Sequence, residues 1–115
     1  DLGVKLDEAE HLIRRALALE PDDGFYVDSL GWVYYQRGDY RRAVEHLERA
    51  VELAGDDSTV AEHLGDAYQR NGQPENALRA FRDALGHASD SVQIDRLKSK
   101  VHLLEGAARA DGASL

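Results

Sequence analysis

Few of the 115 residues have the types and spacing that chemistry needs. The five histidines, His11, His46, His63, His87 and His102, form no HExxH pair and no other paired metal-ligand spacing. Each is read as lying on a solvated helix face, and no metal is expected. Ser29 beside Asp28 has the makings of a nucleophile and an acid, yet adjacent helical positions do not face each other. No GxSxG turn surrounds them either. Glu62 and Asp66 stand one helical turn apart, close enough for paired-carboxylate chemistry, but the simpler reading is a polar face. Gly31, Gly38, Gly65 and Gly72 build no phosphate loop. Cysteine is absent, which removes thiolate ligands and cysteine nucleophiles together and leaves the redox compartment open. An enzyme is not expected, and neither catalytic residues nor a cofactor are assigned.

Composition narrows the remaining classes. The formal charge of −8 has the wrong sign for a phosphate-backbone binder, so no nucleic-acid partner is expected. An apolar share of 43% is too high for the disordered class. No apolar run approaches the ~18 residues of a membrane span, and no basic-then-apolar signal opens the chain. Methionine is also absent, which reads as a processed product or a piece of a longer chain.

The elements that must position any site come from internal repetition. A shift of 34 residues places Leu30 on Leu64, Gly31 on Gly65, Tyr34 on Tyr68 and Gly38 on Gly72. It continues with Ala43 on Ala77, Leu47 on Phe81 and Ala50 on Ala84. One shift earlier, Ala9, Ile13 and Ala16 fall on Ala43, Leu47 and Ala50. Inside each period the apolar spacing is helical, as in Val27, Leu30, Gly31 and Tyr34. Gly38 and Gly72 suit helix ends at positive φ. Asp39, Thr59 with Glu62, Pro74, and Asp90 with Ser91 suit helix starts. Strand patterns are missing. Six helices are predicted, near 5–20, 24–37, 40–53, 58–71, 74–86 and 91–105, with connections short enough to force antiparallel neighbours.

Leu30-Gly31-x-x-Tyr34 followed by Ala43-x-x-x-Leu47-x-x-Ala50 resembles the tetratricopeptide repeat. Leu64-Gly65-x-x-Tyr68 with Ala77-x-x-x-Phe81-x-x-Ala84 resembles it again. Two positions depart from the family pattern. Val27 and Ala61 stand where Trp is preferred, and Gly55 stands where Pro is usual. The resemblance implies an all-α, right-handed α-solenoid of antiparallel helix pairs. It divides one domain, 1–106, into a half-repeat 5–21, repeats 24–57 and 58–90, and a capping helix 91–105, with 107–115 a flexible tail. The capping helix carries Ile94, Leu97, Val101 and Leu104 inward, with Asp95, Arg96, Lys98, Lys100 and Glu105 solvating its other side; Gly106 ends it. The first helix matches a second helix without its partner, and its open flank is an expected surface for self-association.

What the resemblance implies about function is protein–protein interaction through a concave groove lined by the first helix of each repeat. On helix 24–37 the face opposite the core holds Phe25, Asp28, Trp32, Tyr35 and Gln36. On helix 58–71 it holds Thr59, Glu62, Asp66, Gln69 and Arg70. Aromatics beside carboxylates would suit an extended peptide with apolar side chains and a Lys or Arg. An equally weighted use of Phe25, Trp32 and Tyr35 is packing against the first helix of a preceding repeat. Family members that clamp a C-terminal carboxylate place Lys, Asn and Arg where this chain has Asp28, Trp32, Glu62 and Asp66, so that activity is disfavoured. Residues 22–57 hold nine acids and four bases, 4 − 9 = −5, a field expected to steer basic partners and to weaken with salt. The alternative class is a structural segment that extends and ends a longer array. The phrase Tyr26-Val27-Asp28-Ser29-Leu30-Gly31-Trp32, then Tyr34-Tyr35, also resembles C-terminal repeats of large bacterial tetratricopeptide proteins, some of them envelope lipoproteins. The compartment stays open between cytoplasm and bacterial envelope.

Overall fold

A computed structural model describes residues 1–113. Its order is α1 (Leu2–Leu19), α2 (Gly24–Gln36), α3 (Tyr40–Ala54), α4 (Ser58–Arg70), α5 (Pro74–His87) and α6 (Ser91–Ala113). No strand occurs among the described residues. The molecule is elongated, 49 × 29 × 23 Å, and its radius of gyration of 15.1 Å exceeds the roughly 13 Å of a compact globule of this length. A stack whose units touch only their neighbours has this shape.

The start signals are aspartates. Asp1, Asp23, Asp39, Asp57 and Asp90 each accept a backbone N–H from the first turn of the helix that follows. Such caps satisfy donors that the helix itself leaves unpaired. The Thr59/Glu62 capping box does not form. Asp57, two residues earlier, takes the Val60 N–H at 3.0 Å and leaves the Glu62 side chain free for other work. Pro74 opens α5 with no side-chain cap, as a first-turn proline permits.

The stops are equally local. Gly38 and Gly72 have φ of 81° and 76°. At each, two backbone bonds close the helix end: Asp39 N–H to Tyr34 and Gly38 N–H to Tyr35, then Gln73 N–H to Tyr68 and Gly72 N–H to Gln69. That pairing is the Schellman motif, and it turns the chain back within two residues.

Helix α6 departs from the sequence reading. It passes through Gly106 and runs to Ala113, so the expected tail is helical over 107–113, and 114–115 lie outside the described residues. Gly106 does not have the positive φ of a helix stop. A glycine inside a helix costs about 1 kcal/mol relative to alanine, and the run Ala107-Ala108-Arg109-Ala110 consists of strong helix formers that carry the helix past it.

Packing follows the repeat. Gly31 lets α3 approach so closely that a Cβ there would lie 2.7 Å from Leu47 Cγ; at Gly65 it would lie 2.4 Å from Phe81 Cε1. Leu47, Phe81 and Leu97 are fully buried, and the core formed by α3 to α6 runs unbroken through Ala43, Leu64, Ala77, Ala84 and Leu104. Leu97 and Leu104 hold α6 on this core, as its inward stripe predicts. A smaller cluster, Val27, Ala50 and Val60 with Leu17 and Leu53, joins α1 to the stack. Each repeat tyrosine also reaches the preceding second helix: Arg14 donates to the Tyr34 hydroxyl, and the Tyr68 hydroxyl donates to Glu48. Burial together with the Glu48 carboxylate pushes Tyr68 up to about 12.

Candidate functional site

Helices α2, α4 and α6 lie side by side as one layer, with α1, α3 and α5 behind them. Taking ~100° per residue, the inward side of the layer carries Phe25, Trp32 and Gln36 on α2, then Thr59, Asp66 and Arg70 on α4. On α6 the matching line is Val92, Ser99 and Leu103, about 140° from the buried Leu97. Phe25, Val92 and Leu103 are 56%, 67% and 70% exposed.

Between these helices the polar residues pair sideways. Asp28 Oδ1 lies 2.8 Å from His63 Nδ1, linking α2 to α4. Glu62 links α4 to α6: Arg96 donates to both its oxygens, at 2.7 and 2.8 Å, Lys100 donates at 2.7 Å and Gln93 at 3.2 Å. Lys100 also donates to Asp66 at 2.8 Å, and Ser58 donates to Gln93. Glu62 is therefore buried, 3% exposed, with every oxygen satisfied. Burial pushes its carboxyl up, but the bonds from Arg96, Lys100 and Gln93 outweigh that and hold it at about 2. Burial wins at Asp66, whose carboxyl sits above the ordinary value although Lys100 pulls it down.

This corrects the polar-face reading of Glu62 and Asp66. They lie between helices, paired with Arg96 and Lys100, and Asp28 is bonded to His63. None of the three stands free to meet a basic ligand. Arg96 and Lys100, expected to solvate the outside of α6, turn towards α4 instead.

The aromatics form a second lateral link. Trp32 stacks on Tyr35, centroids 4.3 Å apart and planes within 6°, and on His63 at 4.3 Å. Tyr35 meets the edge of Tyr40 at 5.4 Å, and Arg70 lies 5.0 Å from the Tyr40 ring centre while donating to its hydroxyl at 2.7 Å. Trp32 and Tyr35 thus pack within this chain, on α2, α3 and α4. Phe25, Gln36, Gln69 and Arg70 are exposed. Of the ten residues expected on the groove face, Asp28, Trp32, Tyr35, Glu62 and Asp66 are held between helices, Arg70 is exposed but bonds Tyr40, and Phe25, Gln36, Thr59 and Gln69 are exposed.

His63, Arg96, Lys100, Gln93 and Tyr40 were missed by the sequence reading. A signal existed: carrying the 34-residue shift into α6 places Glu62 on Arg96 and Asp66 on Lys100, so acids face bases one repeat on. On α1 the flank expected for self-association holds Leu12 and Leu19, 63% and 85% exposed.

Fold and surface together define an α-solenoid scaffold. The tetratricopeptide repeat family model matches residues 5–58, 29–91 and 62–111, and the chain belongs to that family. No curated protein matches. Among solved structures, the chain is similar to PcrH in complex with the chaperone binding region of PopD. The TM-score is 0.81 at 16% identity, over 93% of this chain and 84% of that one. It is also similar to the type III secretion translocator chaperone SycD of Yersinia enterocolitica, with TM-score 0.85 at 13% identity over 94% and 77%. A T3SS complex from Aeromonas hydrophila gives TM-score 0.84 at 16% identity over 93% and 74%. At these identities the likeness is one of fold.

Proposed function

We propose that the chain is a protein–protein interaction module that holds a partner segment across the inward side of α2, α4 and α6. The observation that carries this reading is the contrast on that layer. Its floor is closed by saturated polar pairs, while Phe25, Val92 and Leu103 stand in solvent above it. A floor fixed before the partner arrives lowers the ordering cost of binding. The fold shared with PcrH, whose structure holds a region of PopD, supports the same reading. Phe25, Gln36, Gln69 and Arg70 are the residues of the rim available to a ligand. Asp28, Glu62, Asp66, Trp32 and Tyr35 act as its support.

The test is a screen of random 12-residue peptides against the chain, followed by Phe25→Ala and Leu103→Ala on a selected binder. Each substitution should weaken binding about fivefold or more while the melting temperature stays put, because both side chains are exposed. The competing reading, a structural segment of a longer array, draws on the far side of α6, where Asp95, Lys98 and His102 are exposed and polar. That reading predicts no selective peptide at all.

A further inference from the structure

The charges of the inward layer differ in exposure by sign. The acidic side chains Asp28, Glu62 and Asp66 are 14%, 3% and 18% exposed. The basic ones are more exposed: Arg96 is 48% exposed and Lys100 26%, and Arg70 is also exposed. Each acid is bonded from the neighbouring helix by a base or histidine. Among the charged side chains paired between α4 and α6, the Arg96 guanidinium is thus the most exposed. Arg70 spends one N–H on Tyr40 and keeps further donors. Asp95, the exposed acid on this part of α6, stands about 60° round the helix from Val92, away from α4.

Resting on the interaction reading above, we propose that the preferred partner segment is apolar and acidic: aliphatic or aromatic side chains for Phe25, Val92 and Leu103, and carboxylates for Arg70 and Arg96. This reverses the sign expected from the sequence, where the acids of helices 24–37 and 58–71 were counted as open. The whole-chain charge of −8 opposes such a ligand at a distance. Physiological salt screens that field beyond about 8 Å, whereas a charge-assisted bond to arginine acts at contact.

Three fluorescein-labelled 12-residue peptides test this by anisotropy. All carry the same leucines and valines, spaced by Asp and Glu in one, by Lys and Arg in the second and by Ser and Gln in the third. The acidic peptide should bind at least fivefold tighter than the neutral one, and the basic peptide weakest. Arg70→Glu, at an exposed position, should remove most of the acidic preference, read as the ratio of acidic-peptide to neutral-peptide affinity. Equal or tighter binding of the basic peptide overturns the proposal, as does an acidic preference that survives Arg70→Glu. Binding of the neutral peptide alone refutes the charge preference and keeps the groove. Failure of all three refutes both.

Discussion

Glu62 ties α4 to α6 through one carboxylate that meets three side chains, and its environment fixes how the fold responds to acid. With a folded pKa of about 2 against an ordinary 4.5, its ionised form contributes stability that is complete above pH 4.5 and is lost as pH falls towards 2. Asp66 works in the opposite direction, because its raised value means that protonation relieves a cost. Glu62→Gln separates the two. At pH 7 the variant should be less stable by about 1–3 kcal/mol, and its melting temperature should fall less than that of the wild type between pH 5 and 3. Parallel curves would show that the carboxylate does not carry the link. The same residue marks the limit of sequence reading at this scale. Leu47, Phe81 and Leu97 were legible because burial leaves an apolar period. Arg96 and Lys100 were not, since a helix's own pattern separates core from surface and does not reveal a neighbour alongside.

Glycine positions decide matters at the scale of elements. Gly72 at φ 76° and Gly106 inside α6 look alike in sequence, each a glycine after a helical stretch. Their alanine variants should diverge: Gly72→Ala costs about 1 kcal/mol, while Gly106→Ala, with open space around it, raises stability by about 0.5–1 kcal/mol. Thermal melts of both variants check this, and a destabilised Gly106→Ala would mean that α6 stops where the sequence suggested. Gly65→Ala belongs to a third case. Its Cβ would meet the Phe81 ring, and overpacking of that kind costs about 1–3 kcal/mol, read as a lower urea midpoint with an unchanged slope. Helix number and order were readable because each unit repeats caps, stops and small contact residues. The continuation of α6 past Gly106 was not, because Gly106 obeys the stop rule in type but not in φ.

For the whole molecule, the claim is that three parallel first helices, tied edge to edge by Asp28–His63, Glu62–Arg96 and Lys100–Asp66, form one prepared surface that faces a partner. The repeat made the layer of helices legible; its ion pairs emerge only when the 34-residue shift is carried into α6, outside the two full repeats. Backbone amide and side-chain NMR shifts, followed while a screened peptide is titrated into the labelled protein, test the claim most directly. The account predicts that saturating shifts cluster at Phe25, Gln36, Arg70, Val92 and Leu103, with α3 and α5 quiet. Shifts confined to the outer sides of α3 and α5, or to the Leu12–Leu19 flank of α1, would contradict it.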